Sequence, residues 1–230
     1  MKHLKPLLLT TKVLSLMLIT FSLLLPAITQ AAEKRIGILV YDGVLTSDVT
    51  APLEVFGIAS RLSWFSDYRP ITISVNRQKT ITTEEGLVLG VDAWVGDAPE
   101  LDALIVTSSY DMEPLLANQQ LIDFIQHSAN SASWMASNCS GAYLLAQAGI
   151  LNGKQATTWA GGESGLQKRY PQVNVQHDNN VVIDGNVITS NGSLVSYQAA
   201  LVLLKQMASA AKAAEVAETL QYSRFSSQTF

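Results

Sequence analysis

Cysteine is almost absent from this chain of 230 residues, in which Cys139 is the only one. A single cysteine cannot form an internal disulfide, so a disulfide framework is excluded. The sequence also has only three histidines, and its Cys and His residues show none of the paired spacings of zinc sites. We therefore expect no metal centre.

Charge is sparse as well, since Asp, Glu, Lys and Arg make up 15% of the residues and the net charge is -4. Lys and Arg form no cluster outside the N-terminus, so the electrostatic footprint of a nucleic-acid-binding protein is missing. Neither a Walker pattern nor a G-x-G-x-x-G pattern follows an apolar run, and the pair Gly161-Gly162 matches neither. We expect no nucleic-acid partner and no cofactor.

The longest uncharged apolar stretch lies at the N-terminus. The stretch spans residues 13–27, basic residues precede it, and small residues lead up to Ala31. This layout is typical of a secretory signal peptide. We expect residues 1–31 to be removed, leaving a single domain at 32–230 in the periplasm or outside the cell, with no stable membrane anchor. An uncleaved anchor is the competing interpretation, but the stretch is shorter than the roughly 20 residues of a spanning helix and Pro26 interrupts it.

Apolar runs and helical spacings alternate along the rest of the chain. Strands alternating with helices imply an α/β fold, in which a mainly parallel sheet has helices on both faces and places its sites beyond the strand C-terminal ends. Three such ends, at 41–48, 107–111 and 138–140, are the candidates here. The pattern predicts strands at 35–41, 71–75, 103–107, 133–137, 173–175, 181–183 and 187–190, a hairpin or extended excursion at 80–94, and helices at 47–62, 118–128 and 194–214.

Cys139 lies between an apolar run and a helical pattern, where a strand turns into a helix. The free N–H groups at the start of that helix favour a thiolate over a thiol. Small residues on either side, Ser137 and Gly141, permit the sharp turn of a nucleophile elbow. The alternative is a buried structural cysteine, since free cysteine often packs as a small hydrophobe.

Several segments resemble the ThiJ/PfpI superfamily of class I glutamine-amidotransferase-like proteins. They are I-G-I-L-V-Y-D-G-V at 36–44, D-V-T-A-P-L-E-V-F at 48–56 and the elbow around Cys139. R-Y-P-Q-V at 169–173 and D-G-N-V-I-T-S at 184–190 fit its branch of isonitrile hydratases and AraC-type regulator sensor domains. The resemblance implies a flavodoxin-like three-layer α/β sandwich that commonly forms a homodimer.

The resemblance also implies roles for three residues. Cys139 matches the family's nucleophile, and Asp48 matches an acidic residue whose carboxyl approaches the sulfur, where it can shuttle a proton. Ser140 matches a hydroxyl residue beside the cysteine, and its backbone N–H can help to hold a developing anion. Without the resemblance, the local pattern favours Asp48 as an ordinary helix N-cap.

Two positions depart from the family's pattern. Ser108 and Ser109 stand where the family has a Gly-Gly pair that donates backbone N–H groups to the anion; serines can still donate, but their side chains crowd the space. Trp159 stands where related sequences have a histidine, and it either walls the pocket or packs in the core. His127 and His177 fit solvated positions, so we expect neither a Cys-His dyad nor a protease.

Three functional classes remain open. The favoured one is a cofactor-independent hydratase or lyase in which Cys139 adds to an electrophilic carbon of a small molecule; an isonitrile or aldehyde is the substrate type that the resemblance implies. The second is a non-catalytic domain that binds a small ligand. The third is a redox or stress protein whose thiol is oxidised reversibly.

Overall fold

The computed structural model of the chain describes residues 33–63 and 67–226. The signal peptide predicted at residues 1–31 lies outside these ranges, so its presence stays a prediction. None of the helices within the two ranges has the length and apolar character that a membrane crossing requires.

A sheet of seven strands forms the centre of the described part of the chain, and two small two-stranded sheets lie apart from it. The strands are β1 (Lys34–Val40), β2 (Tyr68–Ser74), β3 (Thr80–Thr82), β4 (Val88–Gly90), β5 (Ala93–Trp94), β6 (Ala103–Val106), β7 (Trp134–Asn138), β8 (Gln155–Ala156), β9 (Asn174–Val175), β10 (Val181–Asp184) and β11 (Val187–Ser190). In space the strands of the central sheet follow the order β10-β11-β7-β6-β1-β2-β5, and β10 runs antiparallel to β11 whereas the other neighbours are parallel.

The parallel strands have the sequence character expected of a sheet covered on both faces. All four residues of β6 are buried, as are residues 36–40 of β1, because helices remove both faces from water. The strands β2-β1-β6-β7-β11 reproduce the 2-1-3-4-5 order of flavodoxin-like folds. In this order the chain reverses its direction of travel between β1 and β6, which is where such sheets open a crevice for a ligand.

Helices flank the sheet in two groups. They are α1 (Thr46–Arg61), α2 (Glu113–Leu116), α3 (Gln119–Ser131), α4 (Gly141–Gln147), α5 (Glu163–Arg169), α6 (Val195–Met207), α7 (Ala210–Thr219) and α8 (Tyr222–Ser226). The helix α1 packs with the C-terminal helices, and α2, α3 and α4 form a separate packed group, which completes the predicted α/β sandwich. The helix α1 buries one face, with the ring of Phe56 lying 6.0 Å from that of Tyr68.

The prediction of a single helix at 194–214 is wrong. Two helices occupy this stretch, because Ala208 leaves the helical region at φ -127° and ψ -87°. Ser209 then caps the next helix, its side chain accepting a bond from the Lys212 N–H. The excursion at 80–94 is a hairpin of β3 and β4, but its last two residues join the central sheet as β5.

Candidate active site

The C-terminal ends of β1, β6 and β7 meet at the crevice, as the three candidate ends predicted. The Tyr41 hydroxyl donates to the Thr107 carbonyl at 2.7 Å, and the Thr107 hydroxyl donates to the Leu39 carbonyl at 2.7 Å. Both bonds are buried, and together they lock the end of β1 to the end of β6. Cys139 follows directly after β7 and lies beside this junction.

Cys139 adopts a left-handed backbone conformation, with φ 49°, at the turn from β7 into α4. This conformation costs free energy for a residue with a side chain, and such strain is concentrated at functional sites. A side chain at Gly141 would collide with the Val106 carbonyl and lie 2.8 Å from the Thr107 carbonyl. Gly141 is therefore required because α4 begins directly against β6, which gives the elbow predicted from the sequence its physical reason.

Asp48 is completely buried beneath the elbow and is held by donors from two distant segments. Its Oδ2 accepts bonds from the Ser108 hydroxyl at 2.5 Å and the Ser108 N–H at 3.2 Å. Its Oδ1 accepts bonds from the Ser196 hydroxyl at 2.7 Å and the Ser193 N–H at 3.3 Å. The N-cap interpretation of Asp48 is thus wrong, because Leu45 is the residue at the cap and the Asp48 carboxyl accepts its bonds from Ser108, Ser193 and Ser196.

A fourth strand end, which the sequence did not single out, completes the site. Gly192 follows β11 with φ +76°, and a Cβ there would lie 2.5 Å from Cys139 Cβ and 3.2 Å from Asp48 Oδ1. Because Gly192 has no side chain, Cys139 and Asp48 can both approach the backbone at this position. The sequence feature that could have identified this strand end is the turn-forming run Asn191-Gly192-Ser193 directly after a buried strand.

Burial dominates the electrostatics of this pair. It raises the pKa of Asp48, and the hydrogen bonds from Ser108, Ser196 and Ser193 offset part of that rise. Burial also raises the pKa of Cys139, and the charge of Asp48 raises it further. The Ser108 hydroxyl and the N–H and hydroxyl of Ser140 oppose the rise. The helix start was expected to favour a thiolate, whereas burial and the charge of Asp48 act in the opposite direction and raise the pKa of Cys139.

A cavity of about 680 Å³ opens above Cys139. This volume suits a small organic molecule, since ligand pockets typically measure about 300–1,000 Å³. Ser109 and Ser140 lie beside the cysteine, and the walls are mainly apolar and aromatic. Charged side chains line it at Asp111, Glu113 and Arg169, and the larger apolar lining residues are Leu45, Tyr110, Met112, Leu116, Tyr143 and Trp159.

Comparison with known proteins identifies the family of this chain. Residues 34–206 match the model of the DJ-1/PfpI family. The chain belongs to the DJ-1/PfpI family. It is 32% identical over 194 residues to an isonitrile hydratase from Pseudomonas putida, a match that covers 82% of this chain and 78% of the relative.

One further relative and one solved structure are also similar to this DJ-1/PfpI chain. The chain is 25% identical over 191 residues to the HTH-type transcriptional regulator GbdR from Pseudomonas aeruginosa, covering 83% of this chain and 51% of the regulator. A crystal structure of a ThiJ/PfpI family protein from Pseudomonas syringae superposes with a TM-score of 0.74 at 21% identity, covering 86% of this chain and 78% of that one. This likeness confirms the predicted flavodoxin-like fold.

The two serines in place of the family's glycine pair have different positions in this DJ-1/PfpI site. Ser108 is buried and gives both its N–H and its hydroxyl to Asp48, so it is not directed at a substrate anion as the sequence suggested. Ser109 lines the cavity, and its carbonyl accepts a bond from the Ser140 hydroxyl at 3.0 Å. Only one of the two serines can therefore touch a ligand.

Trp159 forms a wall of the cavity rather than part of the core. Its side chain is 36% exposed, and its ring stacks on that of Tyr143 with centroids 5.3 Å apart. The two described histidines, His127 and His177, are exposed and do not line the cavity. Asp48 is therefore the base that the described residues bring to Cys139.

Proposed function

We propose that this DJ-1/PfpI protein is a cofactor-independent, cysteine-dependent hydratase whose substrate is an isonitrile. The observation that carries the proposal is the position of Cys139, which lies at a cavity and packs with the buried Asp48 around the same glycine. The isonitrile hydratase at 32% identity supports the choice of substrate class.

The first step is addition of the thiol across the terminal carbon of the isonitrile. Asp48 takes the proton from Cys139, the sulfur forms a bond to that carbon, and the proton is delivered to the same carbon. The product is a covalent thioimidate, R–N=CH–S–Cys139. The raised pKa of Asp48 makes it a stronger base than an ordinary aspartate, which suits the removal of a proton from a thiol.

The second step is hydrolysis of the thioimidate. Water adds its oxygen to the carbon and a proton to the nitrogen, and the resulting tetrahedral species expels the thiolate to give the formamide R–NH–CHO. The N–H of Ser140 lowers the pKa of Cys139, so it stabilises the departing thiolate. The remaining hydroxyl proton returns the thiolate to a thiol through Asp48, and the sum of the steps is the addition of one water.

The environment of the cysteine favours a hydratase over a thiol sensor. A redox sensor depends on an accessible thiolate of low pKa, whereas burial and Asp48 raise the pKa of Cys139. A hydratase can start from a neutral thiol when a base lies near it, and Asp48 packs with Cys139 around Gly192.

The test incubates the full purified chain with an isonitrile and measures the N-substituted formamide product by chromatography. We expect turnover by the wild type and a loss of about 10²-fold or more in Cys139→Ser and Asp48→Asn. Asp123→Asn, an exposed aspartate on α3, is the matched control and should retain full activity. A folded wild type that is no faster than Cys139→Ser would overturn the proposal.

We also propose that residues 1–31 are a secretory signal and that the mature chain is an exported homodimer. The support is the layout of the leader and the family resemblance. Fractionation of cells expressing the chain, with intact mass measurement, should recover a product shortened by the leader outside the cytoplasm. Light scattering on that product should give twice the chain mass. A full-length cytoplasmic product or a monomer would refute the respective part.

A further inference from the structure

The indole of Trp159 is held in place by two neighbours. Its ring stacks on the Tyr143 ring, with an interplanar angle of 23°. Gly162 also lies against the indole, since a Cβ there would run into the indole and come within 2.6 Å of its Cζ2 atom. Gly162 has φ -94° and ψ -8°, which any residue adopts. The position therefore lacks a side chain because the indole occupies that space.

The segment carrying Trp159 is tied to the elbow. The hydroxyl of Thr158 donates to the Cys139 carbonyl at 2.8 Å, and the amide of Asn191 donates to the Thr158 carbonyl at 2.5 Å. Because these bonds fix the residue before the tryptophan to the nucleophile, the distance from sulfur to aromatic wall is set by the fold. Trp159 thus presents a rigid, partly exposed aromatic surface to whatever binds above Cys139.

The charges around the cavity disfavour an anionic ligand. Arg169 is the one cationic side chain among the described lining residues, and its guanidinium is paired with Glu113 at 2.5 Å. Asp111 adds a negative charge at the same lining. A ligand carboxylate would therefore have to displace Glu113 from Arg169 and would still face Asp111.

We propose that Trp159 and Tyr143 form a subsite for a flat, uncharged aromatic substituent on the electrophile that Cys139 attacks. The inference rests on the proposed hydratase for its reaction, and it assigns aryl isonitriles as preferred substrates over short alkyl isonitriles. An electrophile of one or two carbons would leave most of the 680 Å³ cavity filled with water. An aryl group stacked on Trp159 removes apolar surface of both partners from water and adds the ring-stacking attraction.

The first test compares kcat/KM for phenyl isonitrile with kcat/KM for methyl isonitrile. We expect Trp159→Ala to lower the ratio by about fivefold to tenfold, the amount set by loss of one aromatic contact, while Trp159→Phe keeps most of it. Gly162→Ala should act like Trp159→Ala, because the new methyl displaces the indole. Gly96→Ala is the matched control, since it displaces the indole of Trp94 in the same way but outside the cavity.

The second test needs no turnover and uses the single thiol as a reporter. Formanilide and N-methylformamide, each added at rising concentration, compete with iodoacetamide for access to Cys139 at alkaline pH. We expect formanilide to protect the wild type at about tenfold lower concentration, and this advantage to disappear in Trp159→Ala and Gly162→Ala but not in Gly96→Ala.

The two tests separate the proposals. Aryl-selective protection without turnover of any isonitrile would remove the hydratase and leave the subsite standing. Equal protection by both amides, no protection by either, or an aryl preference that survives Trp159→Ala and Gly162→Ala would overturn the subsite.

Discussion

Ser196→Ala isolates one of the bonds that hold the buried Asp48. The serine hydroxyl donates to Asp48 Oδ1 at 2.7 Å, and the other donor to that oxygen, the Ser193 N–H, is longer at 3.3 Å. A hydrogen bond to a charged group contributes about 1.5–3 kcal/mol, and alanine recovers up to about 0.5 kcal/mol through its helix propensity. We expect a net loss of about 1–2.5 kcal/mol in the free energy of unfolding.

The loss should depend on pH in a defined direction. The Ser196 hydroxyl lowers the pKa of Asp48 in the folded protein, so its contribution to stability is present above that pKa and is lost as the pH falls through it. Because burial raises the pKa of Asp48 overall, this window lies above the usual aspartate value of about 3.9.

Urea denaturation followed by tryptophan fluorescence, repeated across a pH series, measures both features. Gln198→Ala, a half-buried position on the same helix, is the control and should stay within about 0.5 kcal/mol of the wild type. A Ser196→Ala variant as stable as that control, or one whose deficit does not shrink in acid, would refute the reasoning that this bond holds an ionisable buried carboxyl.

Three further perturbations test the site and the core. Gly192→Ala should destabilise the protein by about 1–3 kcal/mol and abolish formamide production, because its methyl would lie 2.5 Å from Cys139 Cβ at a φ of +76°; wild-type activity and melting temperature would contradict this. Alkylation of Cys139 should be slow at neutral pH and accelerate only above the usual cysteine pKa of about 8.5, since burial and Asp48 raise the pKa of the thiol. In Asp48→Asn the acceleration should move to lower pH, and an unchanged profile would show that the carboxyl does not act on the sulfur. Phe56→Ala should cost about 3–5 kcal/mol in urea denaturation, because the ring is fully buried against Tyr68; a loss below about 1 kcal/mol would contradict that packing.

The order of strands and helices could be predicted because it is written in local patterns. A buried parallel strand is a continuous apolar run, as in β6, and an amphipathic helix repeats every three to four residues, as in α3. The break at Ala208 escaped this approach, since its alanine-rich surroundings are good helix formers throughout. There the cap at Ser209 outweighs propensity.

The partners of Asp48 could not be predicted from the sequence. Ser108 lies 60 residues away along the chain and Ser196 lies 148 residues away, and nothing in the local pattern distinguishes either from an ordinary serine. Gly192 lies 53 residues from Cys139 along the chain, although a side chain there would collide with Cys139 and meet Asp48. Periodicity reports on neighbours three or four positions apart, and it carries no information about these contacts.

The sequence by itself determined the α/β class and the elbow at Cys139, because small residues beside a strand-to-helix turn and alternating apolar patterns are local properties, and its family resemblance supplied the candidate acid at Asp48. Only the tertiary structure decided how those residues behave. Burial raises the pKa of the Cys139 thiol, Ser108 bonds to Asp48 instead of facing the cavity, and Trp159 lines the cavity instead of packing in the core. Each of these depends on which distant segments exclude water and supply donors, and that is settled when the four strand ends meet.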